Sequence, residues 1–174
     1  MGFWAAMDEV FLETHHQRCW QHKTMNVLNC LPTLSQSKAK AAIHDIWQAE
    51  TKADSDKAFD LFIKTYEPKY PKAALCLQKD RAELMAFVDF PAQHWRSIRT
   101  SNPIESAFAT IRHRTKRSKG CLSRDGRLHM MFKLGQCAEQ NWRKLRGFDY
   151  LAKVITGVTF KDGIENTNPS QIAA

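Results

Sequence analysis

A single carboxylate stands in the most basic stretch of this chain. Residues 96–120 read Arg-Ser-Ile-Arg-Thr-Ser-Asn-Pro-Ile-Glu-Ser-Ala-Phe-Ala-Thr-Ile-Arg-His-Arg-Thr-Lys-Arg-Ser-Lys-Gly, and Glu105 is the sole acid among Arg96, Arg99, Arg112, Arg114, Lys116, Arg117 and Lys119. Two chemistries fit. Asn102 is a good N-cap, Pro103 suits the first helical position, and Glu105 sits where a capping box places a carboxylate that reaches back to the cap amide. Alternatively, Glu105 holds a divalent metal ion while Arg112, Arg114, Lys116, Arg117 and Lys119 hold nucleic-acid phosphates. Helical spacing puts Glu105, Ala109 and Arg112 on one face. Spacing alone does not decide between the two readings.

A second cluster, His15-His16-Gln17-Arg18-Cys19-Trp20-Gln21-His22, spaces Cys19 and His22 as zinc ligands are spaced. A structural zinc site pairs two such ligand sets, and no second Cys-x-x-Cys or His-x3-His follows, so a buried thiol beside a backbone-satisfied histidine is the simpler expectation.

The elements that must carry these residues read as mainly helical. Apolar positions Phe3, Trp4, Met7, Val10 and Phe11 describe a helix over 3–11, and 16–20 reads as a short buried strand. A helix is expected over 23–31, a loop over 33–37 after Pro32, and helices over 38–50 and 55–66 with Asp54 as the cap between them. Pro68 and Pro71 bracket a turn. Helices over 72–79 and 81–90 follow, the second with Asp80 and Glu83 at capping-box spacing. A break over 120–126 precedes a long helix over 127–146 carrying Leu128, Met131, Phe132, Leu134, Ala138, Trp142 and Leu145, with Gly147 as its C-cap. A shorter helix over 150–155, an extended end at 158–160 and a polar, frayed tail complete the chain.

Composition narrows the class. With 174 residues and a net charge of +8, the chain can form one domain with a real core, or a piece of a larger one, and favours a polyanionic partner. Its five cysteines are scattered, which suits reduced thiols in a cytosolic setting rather than a disulfide framework. The first residues carry no basic leader, Asp8 and Glu9 interrupt their apolar character, and no run approaches a membrane span.

Arg99-Thr100-Ser101-Asn102-Pro103-Ile104-Glu105-Ser106 followed by Ile111-Arg112-x-Arg114-Thr115 resembles the segment that carries the final catalytic glutamate of the mutator-type DDE transposases of bacterial insertion sequences. Gln17-Arg18-Cys19-Trp20-x-His22-Lys23 is similar to the Cys-x-x-His signature of the same group. Gly2-Phe3-Trp4-Ala5-Ala6-x-Asp8-Glu9-Val10-Phe11 looks like the helix after the family's second aspartate, and Phe160-Lys161-Asp162-Gly163 like the family's carboxy-terminal end. The resemblance thus runs from Gly2 to Gly163.

It implies an RNase H-like α/β catalytic domain, of which residues 1–163 would be the carboxy-terminal part. In that reading 23–95 is a helical insert, 96–120 the segment with the glutamate and basic helix, and 164–174 a disordered tail. It further implies DNA as partner, a bacterial cytoplasmic and nucleoid-associated setting, and Mg²⁺ or Mn²⁺ in the intact enzyme, with Glu105 as catalytic metal ligand; the apolar face of Phe3, Trp4, Met7 and Phe11, which would pack on upstream strands in that fold, leads to an expectation of self-association. Cys19, His22 and Asn102 would be structural. The family's two aspartates lie upstream of the positions matched here, and Asp8 falls on an ordinary helix position, so the expectation is a fragment that binds DNA without cutting it and holds no metal tightly. A non-catalytic basic helical module for nucleic acid or protein, with Glu105 as a cap, and a zinc-stabilised adaptor are the alternatives.

Overall fold

The computed structural model describes residues 3–10, 16–117 and 123–166, and these are mainly helical. Helix α1 (Phe3–Val10) is followed by α2 (Trp20–Leu28), α3 (Thr33–Gln48), α4 (Lys52–Tyr66), α5 (Pro71–Gln78) and α6 (Arg81–Met85), which runs into a 3₁₀ turn at Ala86–Asp89. Then come α7 (Ala92–Ile98), α8 (Asn102–Arg117) and α9 (Arg124–Glu139). A second 3₁₀ turn at Phe148–Tyr150, α10 (Leu151–Ile155) and a hairpin of β1 (Phe160–Lys161) and β2 (Ile164–Glu165) end the fold.

The core lies between α2 and α7. Helices α3 and α4 form a hairpin, α2 packs on α3 and α5, and α5 packs on α4. Their inward positions repeat at three and four residues, Ala39, Ile43 and Ile46 on α3 and Ser55, Phe59 and Phe62 on α4. Trp20, Phe59, Phe62 and Phe87 are fully buried at its centre. Each such side chain contributes about 1.5–3 kcal/mol by leaving water. Burial of Trp20 is completed by its indole N–H, which donates to the Leu84 carbonyl at 2.8 Å. Ser55 similarly spends its hydroxyl on the Ile46 carbonyl at 2.6 Å, which welds the start of α4 to α3.

Several local expectations are corrected. Residues 16–19 form no strand: the backbone bonds here go to helical elements and their approaches, Arg18 N–H to Glu83 O and Trp20 N–H to Arg99 O, rather than to a strand among the described residues. The expected loop over 33–37 is the first turn and more of α3, since Ser and Thr suit a helix start as well as a turn. Gln36 anchors that start by donating to the Leu28 and Leu31 carbonyls. Thr51, not Asp54, caps α4, with Thr51 Oγ1 accepting from the Asp54 amide at 3.1 Å. Asp80 makes no side-chain cap either, because its carboxylate is bound by the buried Lys23 ammonium.

The long helix is α9, shorter and earlier than expected. Ser123 caps it by accepting from Gly126 N–H, and it ends at Glu139. Gly147 does not close it; with φ of 67° it opens the second 3₁₀ turn, where its carbonyl accepts from His94 Nε2 at 2.9 Å. The extended end becomes a hairpin because Asp162 and Gly163, both at positive φ, supply a two-residue turn. Gly163 lies against Ala92, where a Cβ would approach to 2.6 Å, and it exchanges backbone bonds with Val88 and Ala92. Asp162 Oδ1 accepts from the Lys52 amide at the head of α4. Ile164 and Glu165, read from sequence as tail, are thus β2, and 167–174 lie outside the described residues.

Candidate site where two sequence signatures meet

Three neighbouring contacts fix the segment between α7 and α8. Arg99 turns inward: its guanidinium lies over the rings of Trp47, Phe87 and Trp95 at 5.1, 5.2 and 5.7 Å and donates to the Trp47 and Trp95 carbonyls. Burial holds its pKa below the usual guanidinium value. This cation therefore belongs to the core and not to the basic field in which its sequence position placed it. One step on, the Arg99 carbonyl accepts from the Trp20 amide, joining the head of α2 to the approach to α8. Ser101 then provides the first helical acceptor, its carbonyl bound by the Glu105 amide at 2.9 Å.

Cys19 and His22 lie one turn apart at the start of α2, with Cys19 at the N-cap, and they meet Ser101 and Glu105 directly. The Ser101 amide donates to Cys19 Sγ at 3.3 Å, and Ser101 Oγ lies 3.3 Å from the same sulfur and 3.3 Å from His22 Nδ1. That hydroxyl also donates to Glu105 Oε1. The other nitrogen of the His22 ring is 3.4 Å from Glu105 Oε1. A hydroxyl has one hydrogen, for which the Glu105 carboxylate and Cys19 Sγ are both acceptors in reach, and His22 Nδ1 lies against the same oxygen.

Charge follows this geometry. For Cys19, burial pushes the thiol pKa up, but the hydrogen bonds from Ser101 and the His22 neighbour more than offset it, so the net shift is downward. His22 is raised, first by its hydrogen bond and charge interaction with Cys19 and then, against some desolvation, by the Glu105 carboxylate. Thiol, imidazole, hydroxyl and carboxylate form one polar cluster whose outer members are open to water, His22 at 61% and Glu105 at 53% side-chain exposure. A carboxylate so exposed can meet a ligand.

The other expected site residues are placed as follows. Asn102 is the first residue of α8. Arg112, Arg114, Lys116 and Arg117 are all exposed along α8. Helical geometry sets Arg112 and Lys116 on the side of Glu105 and Arg114 on the opposite side. Lys119 and His15 lie outside the described residues. Among the described residues no group of three or more His, Cys, Asp or Glu is arranged to hold a metal ion. Ser101 is the site residue that sequence reasoning passed over; its signal was the four-residue spacing to Glu105, one helical turn.

Residues 1–144 match the model of the family described as Transposase, Mutator family. The chain is similar to the transposase for insertion sequence element IST2 of Acidithiobacillus ferrooxidans, 55% identical over 164 residues that cover 94% of this chain and 55% of that protein. It is likewise similar to the transposase for insertion sequence element IS6120 of Mycolicibacterium smegmatis, 43% identical over 176 residues, 99% of this chain and 53% of that protein. The chain spans about half the length of these curated relatives. With the match running through both signatures that meet at Ser101, this chain belongs to the mutator family of transposases.

Proposed function

We propose that this chain supplies the carboxy-terminal part of the catalytic domain of an insertion-sequence transposase, with Glu105 as the carboxylate it contributes to DNA strand cleavage and transfer. The meeting of Cys19 and His22 with Ser101 and Glu105 at the exposed head of α8 carries the reading, since it joins two distant family signatures around one accessible acid. In this reading residues 1–163 complete an RNase H-like domain, 23–95 form a helical insert in it, and 96–120 present the glutamate and the basic helix. Arg112, Arg114, Lys116, Arg117 and Lys119 hold DNA phosphates, and Arg112 and Lys116 share the acid's side of α8. Self-association belongs to the same proposal and is supported by the exposed Leu128, Met131 and Phe132 of α9.

Mg²⁺ or Mn²⁺ takes several oxygen ligands, and a two-metal site takes more than one carboxylate. Among the described residues no group of three or more His, Cys, Asp or Glu is placed to hold a metal ion, so they do not fit a complete metal site by themselves. What this chain does is narrower: it binds DNA through α8 and holds one carboxylate in a fixed place beside it.

The test joins this chain behind the upstream half of the Acidithiobacillus relative. Glu105→Gln in that joined protein abolishes cleavage in Mg²⁺ or Mn²⁺, because a neutral amide is a much poorer ligand for a hard cation. Non-specific DNA affinity stays equal or rises, since a charge that repels phosphate is gone. Full cleavage by the Gln variant reduces Glu105 to a helix-start residue and leaves a basic DNA-binding module. Metal-dependent nicking by the 174-residue chain alone also overturns the proposal.

A further inference from the structure

We propose that Ser101 and His22 are positioning residues for the Glu105 carboxylate, and that the Cys19-x-x-His22 signature acts on the glutamate through the Ser101 hydroxyl. The inference rests on the reading of Glu105 as the working carboxylate, and it assigns a purpose to the Cys-x-x-His signature beside it.

Both contacts to Glu105 fall on the same oxygen. Ser101 Oγ donates to Oε1, and His22 Nε2 lies 3.4 Å from the same oxygen. A glutamate in the first turn of an exposed helix has three side-chain torsions to distribute, and an exposed ion pair does little for folding stability. A hydroxyl that donates to this oxygen and an imidazole set beside it instead restrict the side chain's rotamers, while the carboxylate stays 53% exposed to a ligand. Such second-layer hydrogen bonds are what hold a reacting group in its productive geometry.

The serine is itself held from three directions. Its amide is bound by Cys19 Sγ, its carbonyl accepts from Glu105 N–H, and two residues earlier Arg99 is gripped by Trp47, Phe87 and Trp95. Trp20, fully buried, binds the Arg99 carbonyl through its amide and so ties the same segment to the core. Position is thereby passed from the packed helices, through Arg99 and Cys19, to one hydroxyl and on to the carboxylate. Cys19 in this scheme keeps Ser101 in register and needs no ligand of its own.

The test reads the carboxylate itself. In the 174-residue chain, the ¹³C carboxyl signal of Glu105 is assigned by its loss in Glu105→Gln. Ser101→Ala shifts this signal, Ser101→Thr, which keeps the hydroxyl, returns it toward the wild-type position, and His22→Gln shifts it with the fold intact because His22 is on the surface. In the protein joined to an upstream half, Ser101→Ala lowers kcat about tenfold with KM for DNA nearly unchanged, as expected for a misplaced reacting group, and Ser101→Thr restores most of it. An unmoved Glu105 signal in both Ser101→Ala and His22→Gln overturns the proposal. So does a wild-type kcat for Ser101→Ala in a joined protein that Glu105→Gln inactivates. If Glu105→Gln is itself fully active, the reading of Glu105 has failed, whatever the carboxyl signal does.

Discussion

Helices α3 and α9 are both 16 residues long, yet they meet opposite fates. Helix α3 sends Ala39, Ile43 and Ile46 into a core shared with α2 and α4, whereas α9 buries none of its residues and leaves Leu128, Met131 and Phe132 at 59, 47 and 62% exposure. Each has apolar residues at helical spacing. The difference is the partner: α3 has α2 and α4 on its apolar side, while α9 packs against α8 and leaves those three side chains outside. The chain thus divides into a packed body, α2 to α7, and an arm, α8 and α9. The candidate site sits at their seam, with Cys19 and His22 on the body and Glu105 on the arm. An arm with little core of its own takes its geometry from the body at the point where the two touch.

Alanine substitution gives the largest expected contrast. Trp20→Ala empties the centre of the body and removes the shorter of the two side-chain hydrogen bonds that the Leu84 carbonyl accepts, costing about 4 kcal/mol of unfolding free energy; Phe132→Ala on the arm stays within about 0.5 kcal/mol. Urea titration followed by far-ultraviolet circular dichroism measures both. A cost above about 2 kcal/mol at Phe132 would erase the distinction between body and arm.

The next effect is electrostatic and confined to the body. Lys23, 5% exposed, gives its ammonium to Asp80 and to the Cys76 carbonyl at 2.9 Å. Asp80→Asn leaves that buried charge without its counterion and costs about 3 kcal/mol. Burial raises the Asp80 pKa, but the Lys23 hydrogen bond and the charges of Lys23, Arg18 and Lys79 outweigh it, and the net shift is downward. A carboxyl whose folded pKa lies below its unfolded one stabilises the fold above the unfolded value and loses that contribution as pH falls through the folded one. Wild-type stability therefore declines on acidification through this range, and the Asn variant declines less. Equal acid sensitivity in the two proteins would remove Asp80 from the account.

The smallest effect on stability, and the most specific to the arm, is on DNA. If about three phosphates are neutralised, log K falls against log salt with a slope of roughly −2.7. Replacing Arg112, Arg114, Lys116 and Arg117 by Gln flattens that slope and leaves the urea midpoint in place. An unchanged slope would move the DNA surface from the arm to the body.

The elements were legible to different depths. The pairing of Thr51 with Asp54 was open to reading as a cap one turn too late, since both residues favour that role and the choice depends on where the helix begins to pack. Residues 33–37 are ambiguous for a related reason: polar residues that favour turns also favour first helical turns, and Ile43 and Ile46 farther along settle which one forms by drawing the helix into the core. The Asp162-Gly163 turn was present as a residue pair whose hairpin depended on Val88 and Ala92 to dock it.

The sequence by itself determined what neighbours along the chain control: the helical periods, the first-turn place of Glu105, the one-turn spacing of Cys19 and His22, and the run of cations on α8. The tertiary structure alone decided that Ser101 stands between Cys19 and Glu105, 82 residues from the cysteine, and that Arg99 leaves the basic run for an aromatic cage. Short-range spacing is written in backbone geometry and repeats in every helix. Which serine meets which thiol depends on how α2 and the approach to α8 are both pinned to the same core, and that is a sum of packing contacts no local pattern contains.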